Sequence, residues 1–376
     1  MLRSRFTVLV LAVLVTMLST SFAGTYIAYA VGSPSCNISL VGYQTIQAAV
    51  NAVPSGSTIK VCPGTYPEQV SITKPLTLTG FTGSNAEALV TVPAGGVTQS
   101  VFTSFIGTTY YQILVQTTGP VNITDLAVDG TGNGIPPGVG DLAGIFYEDS
   151  TGTVNGVSVR NEVDDTGGFG IQVATTTATA QTVTIENSDI RGFDGYGIWG
   201  VTSNSLTLKV NNNTITNTGN TGIVYEGPVH GTVQTNLING SGNGYGIELT
   251  QSGATVTGNT VISSTVDGPP NIGIAVNGGS NIIKSNRLDA GPIGAGIILL
   301  GSTSGAGSFV QANTITGGSG GYGIDMCGQG AASGFTVTGN TIIDTPGFGL
   351  RRPASGNTTT PNTYFADGAT PTVVGC

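Results

Sequence analysis

The apolar positions of the chain recur at a fixed step. A glycine followed by an aliphatic stands at Gly197-Ile198, Gly222-Ile223, Gly246-Ile247, Gly273-Ile274, Gly296-Ile297, Gly323-Ile324 and Gly349-Leu350, with earlier copies at Gly144-Ile145 and Gly170-Ile171. Successive aliphatics lie 26, 27, 25, 24, 27, 23, 27 and 26 residues apart. A second mark, an asparagine two residues before an aliphatic, is interleaved with the first. It stands at Asn213, Asn236, Asn259, Asn286, Asn313 and Asn340, with a looser copy at Asn187-Ser-Asp-Ile190. Two marks sharing one period describe a single structural unit stacked many times.

Within each unit the apolar residues alternate over short runs, as half-buried strands do. Glycine before isoleucine is expected to free the backbone at a turn. Asparagine tolerates the left-handed conformation and so suits a tight bend, with the aliphatic two residues later facing in. Asparagines stacked coil upon coil would hydrogen-bond one another and satisfy their amides. Near the start, residues 45–53 read as an amphipathic helix with Ile46, Ala49, Val50 and Val53 on one face, stopped by Pro54-Ser-Gly56. Three short alternating strands follow, around Ile59 and Val61, Val70 and Ile72, and Leu76 and Leu78. No Asn-Gly hairpin turn separates them, which favours a coil over a meander.

Residues 81–142 keep the period poorly, and Gly130-Thr-Gly-Asn-Gly-Ile-Pro-Pro-Gly-Val-Gly140 reads as a loop of the kind that walls a groove. Leucine is too sparse for a leucine-rich repeat, and the step is too short for a propeller.

Composition sharpens this picture. The chain has 376 residues, of which 60 are glycine and only 8% are charged, which argues against helices with charged outer faces. The formal net charge of −9 disfavours nucleic acid and anionic membrane as partners. Arg3 and Arg5, an apolar run over 6–18 and the small-residue pattern Ala28-Tyr29-Ala30 form a secretory leader, expected to be cleaved. An uncleaved anchor is the rival reading, but 13 apolar residues fall short of the roughly 20 that a membrane span needs.

The expected organisation is a signal peptide at 1–30, an N-terminal cap at 31–58, a β-helix at 59–350 and a C-terminal cap at 351–376. No later segment is apolar enough to cross a membrane, so the mature chain is expected to be a monomer working outside the cytoplasm. Four cysteines suit that compartment and allow three pairings. Cys36 with Cys62 and Cys327 with Cys376 would staple the two ends; a metal site is the alternative, with no CxxC spacing or histidine cluster to accompany it.

The stretches Thr45-Ile-Gln-Ala-Ala-Val-Asn-Ala-Val-Pro, Gly56-Ser-Thr-Ile-Lys-Val, Pro63-Gly-Thr-Tyr66 and Lys74-Pro-Leu-Thr-Leu-Thr-Gly80 resemble the entry to a right-handed parallel β-helix of the pectin-lyase-like superfamily. The resemblance covers roughly residues 45–350 and implies an all-β, single-stranded right-handed parallel β-helix with a short capping helix. A period of about 26 gives about eleven coils, hence a body roughly 53 Å long. That superfamily spans lyases, hydrolases, esterases, epimerases and adhesins, so the fold does not select an activity. The pectinesterase motifs are missing. Of the polygalacturonase set, Asp164-Asp165 stands far from His230, Val229 replaces the first glycine of the Gly-His-Gly motif, and no Arg-x-Lys follows.

By resemblance, the strand opening with Gly-Ile carries the active groove on its outer face. Alternation places Phe146, Gln172, Trp199, Val224, Glu248, Ala275, Ile298 and Asp325 outward in one column, with Glu148 and Glu226 among those two residues further on. Phe146, Glu148, Trp199 and Asp325 are therefore expected to meet a sugar, whose C–H faces suit aromatic rings. Glu226 and Glu248 would be diagonal neighbours about 8 Å apart at Cα, compatible with an inverting glycosidase pair. His230 would lie at the groove margin. The plain alternative is that these are scattered solvent-facing residues.

Glu162, Asp164, Asp165 and Asp189 form an acidic patch able to hold Ca²⁺, with Glu162 and Asp189 aligned one coil apart. Arg191 nearby would suit proton abstraction in a lyase, and a soluble polar turn ladder is the simpler account of the patch. No cofactor beyond that Ca²⁺ is implied. The expected function is engagement of an extracellular polysaccharide along the groove, with lyase or hydrolase chemistry. The alternative is a non-catalytic surface or adhesion module.

Overall fold

A computed structural model of the protein describes residues 22–376 except 31, 33–35, 38, 82–86, 164–166, 243, 263–271, 291–293, 302–304, 306, 318–321, 329, 346 and 366–372. The described strands wind into about eleven turns, as expected, and form three long parallel sheets. Sheets A and C have 13 strands each on the main path and sheet B has 12. A representative turn runs through Leu206–Asn211 in sheet A, Thr214–Thr218 in sheet B and Ile223–Glu226 in sheet C. Parallel strands of this kind leave one side facing a shared interior and the other facing out.

The interior follows the expected register. Ile145, Ile171, Ile198, Ile223, Ile247, Ile274, Ile297, Ile324 and Leu350 pair in sequence down sheet C. All are buried and belong to one continuous core. At about 2 kcal/mol for each fully buried aliphatic, this column holds neighbouring turns in register.

The two sequence marks act differently from expectation at close range. Gly144, Gly170, Gly197, Gly222, Gly246, Gly273, Gly296 and Gly323 do not adopt a left-handed backbone. A Cβ at Gly197 would sit 2.7 Å from the Gly222 carbonyl oxygen and 2.7 Å from the Ile215 side chain. Glycine is required there by close packing at the corner between sheets B and C. The left-handed bend falls one residue before the ladder asparagines, at Asn212, Thr235, Gly258, Ser285, Ala312 and Gly339.

The ladder itself forms as expected. Asn213, Asn236, Asn259, Asn286, Asn313 and Asn340 each donate an amide N–H to the next side-chain oxygen at 2.9–3.0 Å, ending on Asn362. Each also donates to a backbone carbonyl of the preceding turn.

The helix spans Ile46–Ala52, with Thr45 as its N-cap, and buries Ile46, Ala49 and Val50. The Glu68 carboxylate accepts the first free N–H groups, from Ile46 and Gln47 at 2.8 and 2.9 Å. Gly64–Pro67 is the first strand of sheet B.

The ends also differ from expectation. Thr25–Ala28 is a sheet A strand paired with Ser57–Val61, and Ile27 and Ala28 are buried, although they precede the expected cleavage point. Beyond residue 350, Thr363–Phe365 and Val373–Gly375 add further strands to sheets B and C instead of breaking the pattern. Both expected disulfides, Cys36–Cys62 and Cys327–Cys376, are present with Cα separations of 5.6 and 5.7 Å. Among the described residues, no helix is long and apolar enough to cross a membrane.

Candidate functional site

The outer column of sheet C has the expected register: Phe146, Gln172, Trp199, Val224, Glu248, Ala275, Ile298 and Asp325 are successive partners. Its exposure is different. Ser100–Thr103 pairs antiparallel with Gly107–Val115 and brings Val101 and Ile106 over the outside of the sheet. There they pack with Tyr111, Leu114, Phe146, Ala174 and Val201 as a second apolar cluster. Phe146, within that cluster, is fully buried; Gln172 is fully buried as well and Glu148 is 5% exposed, so the expected sugar contacts at Phe146 and Glu148 are closed off.

The loop at 130–140 packs on residues 92–97, with Val97 donating its N–H to the Asn133 carbonyl at 2.9 Å. Asp325 lies at the far end of the sheet, ion-paired to Arg351 at 2.9 Å. Neither the irregular stretch nor its covering role has a period, so alternation alone could not foresee the burial.

The same cluster continues to Phe169, which is buried, and to Tyr196 and Trp199, which are partly exposed and border a cleft. Phe169 and Tyr196 stack at 5.5 Å, and Trp199 tilts against both at 4.9 and 5.6 Å. The Trp199 indole N–H donates to a Glu226 carboxylate oxygen at 3.2 Å. Glu226 pairs with Thr250 and Val224 pairs with Glu248, so the two glutamates are diagonal neighbours on adjacent strands as expected. Strand geometry separates their Cα atoms by about 8 Å.

Burial is the main cause that raises the Glu248 carboxyl above its ordinary value; the Glu226 charge adds to it, and a hydrogen bond from Thr250 opposes it. The Tyr196 phenol is raised by burial and then by the charges of Glu248, Glu226 and Asp141, which places all three carboxylates around it. Tyr245, the first residue of the next strand, is raised by burial and by Glu248.

Two cavities flank these residues. One, about 250 Å³, is lined by Asp141, Phe169, Asp194, Tyr196, Trp199 and Asn220, together with Gly167 and Gly195. The other, about 310 Å³, is lined by Phe105, Thr202, Ser203, Glu226, Thr250 and Gln251, together with Gly227 and Pro228. The sequence reading missed Phe169, Tyr196 and Tyr245 as site residues. The signal for them was present: an aromatic precedes Gly-Ile or Gly-Leu at Phe169, Tyr196, Tyr245, Tyr322 and Phe348.

The other expected site residues are dispersed. His230 is on an exposed position of sheet A, with its ring over Gly253. Arg191 is on sheet B, ion-paired with Asp189 on the same strand, and does not face the cleft. Asp189 pairs with Ser158, so it does not align with Glu162. Val159 pairs with Ile190, 31 residues on, whereas Ile171 pairs with Ile198, 27 residues on. The longer connection between sheets B and C in the earlier turn causes the misalignment. Glu162 is buried with its carboxylate against Gly130 and Gly144, a poor position for a solvent-borne cation. Asp164 and Asp165 lie outside the described residues, and among the described ones no three carboxylate, histidine or cysteine groups gather as a metal site.

The fold and register define a right-handed parallel β-helix repeat protein. Residues 111–288 match the family model for the right handed beta helix region. No curated protein matches the chain in sequence.

Among solved structures, the chain is similar to the GH136 lacto-N-biosidase from Eubacterium ramulus, with a TM-score of 0.65 and 11% identity over 94% of this chain and 68% of that one. It is similar to the catalytic unit of the thermostable GH87 alpha-1,3-glucanase from Streptomyces thermodiastaticus, with a TM-score of 0.54 and 17% identity over 87% of this chain and 66% of that one. The Dettilon tailspike protein aligns with a TM-score of 0.51 and 17% identity over 83% of this chain and 62% of that one. At these identities the likeness is one of fold.

Proposed function

We propose that the protein is exported and binds a glycan in the cleft around Trp199, where Glu226 and Glu248 hydrolyse a glycosidic bond with inversion. The observation carrying this reading is the Trp199 indole bonded to Glu226, one strand from a glutamate whose own carboxyl is pushed upward. A carboxyl raised by burial holds its proton more firmly than a free one, which suits Glu248 to donate to the leaving oxygen as the general acid. The indole holds Glu226 in place as the base that takes a proton from water. Both side chains leave the same face of adjacent strands, on Cα atoms about 8 Å apart, which suits a pair working across a water in an inverting reaction. Tyr196 and Trp199, backed by the buried Phe169, offer a sugar an apolar wall. The solved neighbours named as a lacto-N-biosidase and an alpha-1,3-glucanase support glycan chemistry on this fold.

Turnover by Glu248→Gln and by Glu226→Gln is expected to fall about 10³-fold in a reducing-sugar assay, with binding retained. Undiminished turnover in either variant would remove that glutamate from the mechanism. Binding sensitive to Trp199→Ala without any cleavage would make the chain a non-catalytic glycan-binding module. Export is expected to cut the leader after Ser21-Phe22-Ala23, because a cut after Ala30 would carry away the buried strand Thr25–Ala28. Mass measurement of the mature N-terminus checks this.

A further inference from the structure

The two cavities sit at opposite ends of the same strands. Asp141 and Phe169 open their sheet C strands, and Asp194, Tyr196 and Asn220 immediately precede theirs, so the 250 Å³ cavity lies at the N-terminal edge of the sheet. Thr202, Glu226 and Thr250 close their strands, so the 310 Å³ cavity lies at the C-terminal edge. Glu226 lines the second cavity and accepts from Trp199 of the first, which joins them across the sheet. Along the helix axis, the path toward the N-terminus is closed: Val101 and Ile106 of the inserted segment pack on the cluster that holds Phe146, and Phe146 and Gln172 are both fully buried.

Charge adds a second constraint. Asp141 and Asp194 line one cavity and Glu226 the other, with Glu248 between them. Neither cavity is lined by a lysine or arginine. Among the sheet C strands only Phe348–Arg352 carries cations, and Arg351 is held by Asp325. Carboxylates accept hydrogen bonds from sugar hydroxyls, whereas a uronate or sulfate would meet like charge with no cation to receive it.

We propose that the glycan of this groove is an uncharged chain laid across the rod, parallel to the sheet C strands, with rings seated in both edge cavities. The proposal rests on the glycan reading of the cleft and fixes the class and direction of its occupant. From Ile198 to Thr202 the strand covers about 13 Å at about 3.3 Å per residue, with the cavities at its two ends, so only a chain of several rings reaches both.

The test is calorimetric binding of neutral glucan, galactan and mannan oligosaccharides of increasing length, beside polygalacturonate and its carboxyl-reduced form. Affinity is expected to rise with length and level off, and the carboxyl-reduced chain is expected to bind better than the acidic one. Tyr196→Ala and Phe105→Ala, at the two edges, should each weaken the longer chains about ten-fold, the size of one aromatic contact. Ile298→Lys, further along the axis on the same outer column, should not, and thermal melts establish that each variant is folded. Tighter binding of the acidic chain would overturn the uncharged class. Weakening by Ile298→Lys but not by Phe105→Ala would overturn the crosswise direction. Either result leaves the cleft as a glycan site, whereas no binding by any chain would overturn that reading and this one together.

Discussion

The asparagine ladder and the outer column of sheet C are built on the same turns, yet they obey opposite rules. Along the ladder every rung from Asn213 to Asn340 repeats one residue making one set of hydrogen bonds. Along the outer column Gln172, Trp199, Val224, Glu248 and Ala275 follow one another with no two alike. Repetition is what stacking rewards, because each rung then satisfies the next. A position where stacking would tolerate repetition but the residues vary is free to serve something other than the stack. The contrast locates the cleft independently of any family.

Four substitutions separate the two regions. The largest effect on folding is expected from Asn259→Leu. It removes an acceptor for Asn236 and donors to Val233 and Asn286, all in buried surroundings. With each orphaned group costing about 1–3 kcal/mol, a loss near about 5 kcal/mol is expected in urea unfolding. Trp199→Ala should invert that balance, costing about 2 kcal/mol of glycan binding by calorimetry and less than Asn259→Leu in unfolding. A large stability loss at Trp199 would show that the outer column is also structural.

Glu148 gives a pH signature for the covered part of the column. Burial, then the neighbouring Asp149 charge, raise its carboxyl from 4.5 to about 7, against a hydrogen bond from Gln116. The folded state favours the protonated form, so this contribution is complete below pH 4.5 and fades as pH rises through about 7. Glu148→Gln should therefore raise stability at pH 8 by about 1 kcal/mol, once screening by nearby solvent is allowed for, and leave it unchanged at pH 4. Melting curves across that range decide it. The smallest effect belongs to Lys209→Ala, on the exposed outer side of sheet A, which should alter folding by no more than about 0.5 kcal/mol and leave binding intact.

Most of the fold was legible because period and alternation are local properties that stacking converts into columns. Ile198 above Ile223, and Trp199 beside Val224, follow from counting alone. The glycine role was misread because its cause is another turn: Gly197 is small on account of Gly222 and Ile215, both distant in sequence. The alignment of Glu162 with Asp189 failed for the same reason in reverse, since counting from one mark assumes connections of constant length. Glu226 and Glu248 lay in regular turns, and their diagonal register follows the count. The exposure expected of Phe146 did not hold, because an inserted segment with no repeat of its own packs on its cluster, nor did that of Glu148, which is buried where Gln116 donates to its carboxylate. Tyr196 was overlooked although its aromatic-Gly-Ile context recurs, because it precedes the strand where alternation begins to assign faces.

The two disulfides have a bearing on how such a rod comes apart. A stack of like turns frays from its hems, where the last layer has a neighbour on one side only. Here Cys36–Cys62 and Cys327–Cys376 sew both hems shut. Unravelling is thereby pushed inward, toward the interrupted turns between residues 81 and 142, and a protease working on the oxidised protein should make its first nick there. Reduction would unpick the seams and hand the first cut back to the ends.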